Sequence, residues 1–173
     1  MLAQRVLVVV ILLPIGLACI VLGGWTYTFL IALILGLAGW EFAQLFKTGG
    51  LKPTSLLIIA GILSLVLGRH WNGFESADWI ISLIVLLSIT YHLVAFERGR
   101  EQAGTDFAVT LAGTFYIGWI GAYFISLRQL DQGMWWVLLV LPATWIADSG
   151  AYFVGTRFGK SSATPSPRAG QGR

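Results

Sequence analysis

Residues 145–160 read WIADSGAYFVGTRFGK, an apolar run that carries one carboxylate, Asp148, and ends in glycines and cations. A charged side chain near the centre of a bilayer costs roughly 2.5–3.5 kcal/mol on insertion scales, so we expect Asp148 to face other helices or a water-filled cavity. Ala147, Ala151 and Gly155 repeat every four residues and form a small-residue face suited to close helix packing. Tyr152 lies four residues after Asp148, so the two side chains look into one groove. The stretch therefore predicts a membrane helix with a polar site near its end.

The composition of the whole chain indicates a membrane protein. Of its 173 residues, 57% are hydrophobic and only 11% are charged, and the mean hydropathy is +0.79. A soluble domain is closer to about 25% charged. The net charge of +3 is expected to record membrane topology, and nothing supports a nucleic-acid partner. With a single cysteine, Cys19, the chain cannot form an internal disulfide or a cysteine-based zinc cluster.

Apolar runs of about 20 residues predict an all-α transmembrane bundle. We expect about six spans, near residues 6–22, 25–46, 54–71, 79–96, 107–127 and 134–154, which together make one helical domain over 1–160. Gly23 and Gly24 separate the first two spans into a hairpin. The third span carries Arg69 near its end, and the long side chain of this residue can snorkel towards the membrane surface. Residues 161–173 lack large apolar side chains and are predicted to be a disordered or aberrant tail.

The basic residues orient this bundle with its N-terminus in the cytoplasm. In that orientation the outer side holds Arg69 and Arg128 alone. The cytoplasmic side holds nine basic residues, namely Arg5, Lys47, Lys52, Arg98, Arg100, Arg157, Lys160, Arg168 and Arg173. The asymmetry predicts that both ends of the six-span region lie inside.

Asp148 is the main candidate for chemistry, because an ionisable residue inside a membrane helix is a functional hypothesis by default. The structural alternative is an Asp148 that pairs with a neighbouring helix. Arg157 and Lys160, beside the glycines at 150, 155 and 159, are candidates for an anionic ligand, and the alternative is that they only mark topology. We expect His92 to be a hydrogen-bonded packing residue.

Several familiar sites are excluded by spacing. Residues 155–161 nearly match a phosphate-binding P-loop, but one residue too few separates the glycines and a membrane helix precedes them where the motif needs a strand. The second histidine, His70, falls on the predicted opposite face from His92, so no metal-ligand spacing is found. No serine–histidine–aspartate arrangement or pair of intramembrane carboxylates can be recognised.

The stretch at 145–160 resembles the phosphatidate cytidylyltransferases, also called CDP-diglyceride synthetases. The family pattern there is approximately Trp-x-x-Asp-Thr/Ser-x-Ala-Tyr-Phe-x-Gly-x-x-Phe-Gly-Lys. The residues of this chain that match it are Trp145, Asp148, Ser149, Ala151, Tyr152, Phe153, Gly155, Phe158, Gly159 and Lys160. Weaker likeness at residues 4–6, 40–42, 115–118 and 127–128 extends the resemblance over residues 1–160.

The resemblance implies an enzyme that converts CTP and phosphatidate to CDP-diacylglycerol and diphosphate in phospholipid biosynthesis. It implies a multi-pass protein of the bacterial inner membrane, with CTP, phosphatidate and the lipid bilayer as partners, and a homodimer is left open. Mg²⁺ is the implied cofactor, although the family's main metal ligands have no counterparts in this chain. Asp148 is then expected near the metal or nucleotide, Tyr152 at the substrate, and Arg157 and Lys160 at phosphates.

After Lys160 the sequence departs from the family pattern, and the family's later spans and its C-terminal signature are missing. The abrupt change in composition suggests a frameshifted or prematurely ended reading frame, so we expect this chain alone to be inactive. The rival hypothesis is a non-enzymatic polytopic membrane protein, such as a transporter fragment or scaffold, that uses Asp148 for helix pairing or ion relay.

Overall fold

The computed structural model describes the backbone of residues 2–158 and the side chains of residues 12–157. Every regular element in this part of the chain is helical, which confirms the predicted all-α class. The elements are α1 (Leu2–Leu22), α2 (Gly24–Thr48), α3 (Ser55–Asn72), a 3₁₀ turn (Gly73–Glu75), α4 (Ser76–Glu97), α5 (Ala103–Gly113), a π-helical segment (Thr114–Trp119), α6 (Tyr123–Gln129) and α7 (Gly133–Phe158). The predicted tail of residues 161–173, together with Lys160, lies outside the described residues.

Each predicted apolar run is found as a helix, with ends that shift by up to four residues. Helices satisfy their own backbone hydrogen bonds, which is the condition for crossing lipid. The break at Gly23 and Gly24 is confirmed, since both glycines have positive φ values of 64° and 52° between α1 and α2. The largest differences are at the starts of α1 and α5, four residues before the predicted spans, and at the end of α7, four residues after the predicted one.

Four helical stretches are long and apolar enough to cross a membrane, namely Gly24–Thr48, Ser55–Glu97, Ala103–Gln129 and Gly133–Arg157, and Leu12–Leu22 is a shorter apolar helix. The stretch Ser55–Glu97 contains α3 and α4, which fold back on each other. A Cβ added at Gly61 would meet Ile84, and one added at Gly68 would meet Ile80 and Ser76. These pairings are antiparallel. The count of six spans and the cytoplasmic N-terminus stay predictions.

The described chain divides into two compact units, the first ending at Val137 and the second beginning at Leu138. In the first unit α3 is the central helix and packs against α2, α4 and the π-helical segment. Ile58, Ile62 and Val66 repeat every four residues along α3, and each has 0% exposure. Because this stripe is fully enclosed, α3 sets the positions of the helices around it.

Helix α3 and the π-helical segment approach each other closely at Gly118. A Cβ added at Gly118 would lie 3.0 Å from the Cα atom of Ile62. Small residues permit such backbone contact, which is how helices associate in lipid. A larger residue in place of Gly118 would therefore have to displace the backbone of α3.

Arg69 corrects one expectation from the sequence. Its side chain is 1% exposed and does not snorkel to the surface. The guanidinium carbon lies 3.8 Å from the ring centroid of Phe74 and 5.1 Å from that of Tyr123. Aromatic faces attract a cation, so the rings around the end of α3 enclose and stabilise the Arg69 charge, which the sequence alone predicts at the solvent-exposed surface.

The second unit, within the described residues, consists of the rest of α7 up to Phe158. Pro142 lies inside this helix and lacks the N–H that would bond the carbonyl of residue 138. The helix nevertheless continues through the stretch that carries the predicted site.

Candidate functional site

Asp148 and Tyr152 lie one turn apart on the same side of α7. The helix is continuous from Gly133 to Phe158, so residues four apart differ by about 40° around the axis. The side chain of Asp148 is exposed, and that of Tyr152 is 76% exposed. A carboxylate and a phenol hydroxyl can therefore engage one ligand from this side.

Arg157 does not share that side of α7. It follows Asp148 by nine residues, which places it about 180° around the axis and about 13 Å along it. Lys160 and Gly159 lie outside the described residues. Of the four residues that the sequence singled out, the helix thus brings two together and separates a third.

The two threonines near Asp148 on α7 are already satisfied by the helix itself. The Thr144 hydroxyl donates to the Val140 carbonyl at 2.9 Å, and the Thr156 hydroxyl donates to the Phe153 carbonyl at 3.0 Å. No hydrogen bond from residues 12–157 reaches the carboxylate of Asp148. A ligand or another polar group is needed to offset its charge in a helix of this apolarity.

A second polar cluster, which the sequence did not reveal, surrounds Asp106 at the start of α5. Asp106 is 1% exposed. Its Oδ2 lies 2.8 Å from Nε of Arg100, and its Oδ1 accepts the backbone N–H of Lys52 at 2.7 Å. The hydrogen bond to Asp106 raises the pKa of Arg100 above its ordinary value. Asp106 thus joins the loop after α2 to the loop after α4.

His92 extends this cluster and confirms the prediction of a hydrogen-bonded packing residue. It is 4% exposed, and its Nδ1 lies 2.7 Å from the Ser88 carbonyl, which can only accept. Nδ1 therefore carries the proton and Nε2 accepts. The Thr110 hydroxyl already donates its proton to the Asp106 carbonyl. The Thr54 hydroxyl is therefore the donor to His92 Nε2, at 3.4 Å.

The Asp106 cluster is an anchor whose polar atoms are engaged with one another. Both carboxylate oxygens accept hydrogen bonds, and Arg100 also donates to the Gly50 carbonyl at 3.1 Å. The sequence contained one sign of this cluster, because an acidic residue such as Asp106 is favourable in the first turn of a helix. The predicted span began at residue 107, so Asp106 was placed just outside the helix and its position in the first turn was missed.

The residues present supply little for a metal ion. In the part of the chain that the structure describes, no three histidine, cysteine or acidic side chains are grouped for one. Asp148 is the one acidic residue of α7 up to Phe158. A single carboxylate can supply one oxygen ligand to a hard cation such as Mg²⁺, and it does not make a preformed protein site.

The chain matches known proteins over nearly its whole length. The model of the cytidylyltransferase family matches residues 3–168. A phosphatidate cytidylyltransferase of Bacillus subtilis is 34% identical over 172 residues, covering 94% of this chain and 61% of that protein. Enzymes of the same name from Synechocystis and Thermotoga maritima are 25% and 28% identical, with 62% and 50% of their lengths covered.

The curated relatives are longer than this chain, which spans about three fifths of the first of them. No solved structure matches significantly. The family match covers far more than half of the chain, and its range contains the whole stretch that carries Asp148, Tyr152 and Arg157. The apolar helices and the bacterial relatives together identify a helical membrane protein. The chain belongs to the cytidylyltransferase family.

Proposed function

We propose that the chain serves the phosphatidate cytidylyltransferase reaction, in which CTP and phosphatidate give CDP-diacylglycerol and diphosphate. The observation that carries the proposal is the family match over residues 3–168, joined by relatives that bear this enzyme name. Because the chain spans about three fifths of those relatives, the proposal concerns the part of the site that its own residues contribute. No observation among the described residues favours the transporter or scaffold alternative.

The chemistry requires the neutralisation of negative charge at a membrane surface. A phosphate oxygen of phosphatidate attacks the α-phosphorus of CTP. The bond from that phosphorus to the oxygen bridging the β-phosphate breaks, and diphosphate leaves with the bonding electrons. Both reactants are anions, so cations and N–H or O–H donors are needed where charge gathers in the transition state.

Asp148 is proposed to act through a cation. A carboxylate beside a triphosphate is repelled unless a positive charge lies between them. Mg²⁺ in nucleotide sites is commonly held by one or two carboxylates together with the substrate phosphates, and Asp148 supplies one. When bound there, Mg²⁺ would neutralise phosphate charge. The carboxylate of Asp148 orients the nucleotide relative to α7.

Tyr152 and Arg157 are proposed to contact different phosphates. The Tyr152 hydroxyl lies one turn from Asp148 and donates to an oxygen of the same ligand. Arg157 lies on the other side of α7, so its guanidinium serves a phosphate approached from the end of the helix, where a bidentate contact is strong. Lys160, outside the described residues, is proposed as a further phosphate contact.

The proposal includes the membrane that holds the chain and the orientation of the chain in that membrane. A bacterial inner membrane and a cytoplasmic N-terminus would put Arg157 and Lys160 on the side where CTP is found, and the nine-to-two distribution of basic residues supports this orientation. Reporter fusions after residues 50 and 131 should report opposite sides of the membrane.

A homodimer is part of the proposal. Light scattering of the purified chain in detergent measures the mass of the protein and so the number of copies.

The test is a chimera that supplies the part of the relative beyond the match. Residues 1–160 of this chain are joined to the remaining C-terminal part of the Bacillus subtilis relative, and membranes are assayed for conversion of labelled CTP to CDP-diacylglycerol. We expect turnover from the chimera and none from the 173-residue chain alone. A chimera that elutes as a single species like the intact relative, yet makes no product, contradicts the proposed function.

The role of Asp148 is tested in the same chimera. Asp148→Asn should abolish turnover without loss of expression, because a neutral amide no longer offsets a bound cation. Asp131→Asn, the same change at an exposed loop position, is the matched control and should keep full activity. Full activity of the Asp148→Asn chimera would rule out the role.

A further inference from the structure

A polar cavity of about 300 Å³ lies at the other end of α2 from the Asp106 cluster. Its walls come from the start of α2, the end of α3 and the end of α6. The polar side chains that line it are Tyr27, Thr28, His70, Arg128 and Gln129. None of these residues takes part in the proposed reaction, and no carboxylate lines the cavity.

Arg128 supplies a fixed positive charge at this cavity. Its Nε donates to the Ile20 carbonyl at 2.8 Å and one Nη donates to the Val21 carbonyl at 3.2 Å, which secures the guanidinium against the end of α1. A guanidinium has five N–H groups. Three of them therefore make no hydrogen bond to a described residue and remain for a ligand.

His70 is held in one orientation beside that charge. The Thr28 hydroxyl donates its proton to the Gly24 carbonyl at 3.0 Å, so the contact of 2.8 Å between Thr28 Oγ1 and His70 Nδ1 requires a proton on Nδ1. The ring of Trp25 packs on the imidazole with centroids 4.1 Å apart. Nε2 remains for a ligand, as an acceptor in the neutral ring and as a donor in the charged one.

We propose that this cavity binds a phosphate-bearing anion. The planar N–H groups of arginine match phosphate oxygens. One amide N–H of Gln129 donates to the His70 carbonyl at 3.2 Å, and its second N–H is a further donor in the lining. The volume lies at the lower limit of ordinary ligand sites, which suits a small head group or a free ion. Helices apolar enough to cross a membrane end here, and the ends of spanning helices are where phospholipid phosphates are expected. The phosphate of a lipid and inorganic phosphate share this chemistry, and the experiment separates them.

The experiment is calorimetric titration of the full 173-residue chain in an uncharged detergent. The probes are inorganic phosphate, dihexanoyl phosphatidylglycerol, and dihexanoylglycerol, which lacks the phosphate. We expect saturable binding of a phosphate-bearing probe and none of dihexanoylglycerol. Binding of phosphatidylglycerol without inorganic phosphate assigns a lipid, and binding of both assigns the phosphate group alone. Binding of neither phosphate probe, or equal binding of dihexanoylglycerol, overturns the proposal.

Gln129→Glu tests the location of the site. It places a negative charge in the cavity with almost no change of shape, and affinity should fall by about tenfold or more because like charges repel. Since it also removes the Gln129 donation to the His70 carbonyl, circular dichroism is recorded to check that the variant folds. Gln102→Glu is the matched control at the other end of the bundle, where the side-chain oxygen that accepts from Arg100 is kept. Equal affinities of Gln129→Glu and the unaltered chain, or an equal loss in Gln102→Glu, would refute the location.

Arg128→Gln gives a second test, with folding measured separately. It should abolish binding of the phosphate probes, because the charge is removed. Since Arg128 also caps α1, circular dichroism in the same detergent is recorded for each variant. If Arg128→Gln does not fold, the comparison of Gln129→Glu with Gln102→Glu decides alone.

Discussion

Thr110→Val removes a buried hydroxyl of the Asp106 cluster that both accepts from the Thr54 N–H and donates to the Asp106 carbonyl. Thr110 has 0% exposure, and its Oγ1 accepts the backbone N–H of Thr54 at 3.1 Å, at the start of α3. Valine has nearly the same shape, so packing is retained and no cavity is made. The Thr54 N–H is left without its acceptor, and the loop before α3 loses one of its connections to α5.

The expected loss is worked out from this one donor. An unsatisfied buried donor destabilises by about 1–3 kcal/mol. Thr54 is only half-buried, so water reaches its N–H in part and the lower half of that range applies, about 1–2 kcal/mol. Thr90→Val on α4 is the control: its hydroxyl is exposed and donates only to the Leu86 carbonyl, at 2.7 Å. We expect the control to change stability by less than about 0.5 kcal/mol.

The measurement is unfolding of the purified chain in a mild detergent titrated with sodium dodecyl sulfate, followed by circular dichroism. Both variants lose a hydroxyl donation to the carbonyl four residues before. The difference in their unfolding free energies therefore reports the further contacts of Thr110, chiefly the bond from the Thr54 N–H. If Thr110→Val is as stable as Thr90→Val, then the bond contributes nothing and the cluster is not the anchor described above.

Two further predictions concern packing and the loops. Gly118→Val should lower stability by about 1–3 kcal/mol in the same assay, because its Cβ would meet the backbone of α3, whereas Gly104→Val adds a Cβ with nothing within 4 Å; equal losses would argue against the close approach. Asp106→Asn should speed hydrogen–deuterium exchange of the Lys52 amide about tenfold or more, since its charged acceptor is gone. Asp78→Asn, exposed in the first turn of α4, is its control, and unchanged exchange after Asp106→Asn would contradict the anchor.

The helices of this chain could be predicted from the sequence because lipid permits few alternatives. A run of apolar residues must satisfy its backbone internally, and its length is limited by the bilayer. The turn at Gly23 was equally visible, because paired glycines take the positive φ values that other residues avoid. The same-side arrangement of Asp148 and Tyr152 followed from their spacing of four.

The contacts of buried polar groups could not be predicted in this way. Asp106 pairs with the backbone of Lys52, 54 residues away, and a charge run between two spans gives no sign of that partner. Arg69 was expected at the surface, yet Phe74 and Tyr123 enclose it. Composition and periodicity locate helices, whereas the partner of a polar group depends on which helices are neighbours.

The two ends of the first unit differ in how their polar groups are used, and this difference separates structural roles from binding roles. At the Asp106 end, each carboxylate oxygen accepts a hydrogen bond and His92 is satisfied at both ring nitrogens. A ligand could join that cluster only by displacing one of these bonds, which costs about as much as it gains. At the Arg128 end, the arginine and His70 are oriented by the protein but keep polar atoms that no described residue engages. Groups that are fixed in place and still unsatisfied lose little entropy when a ligand binds, so binding is expected at the Arg128 end and rigidity at the Asp106 end.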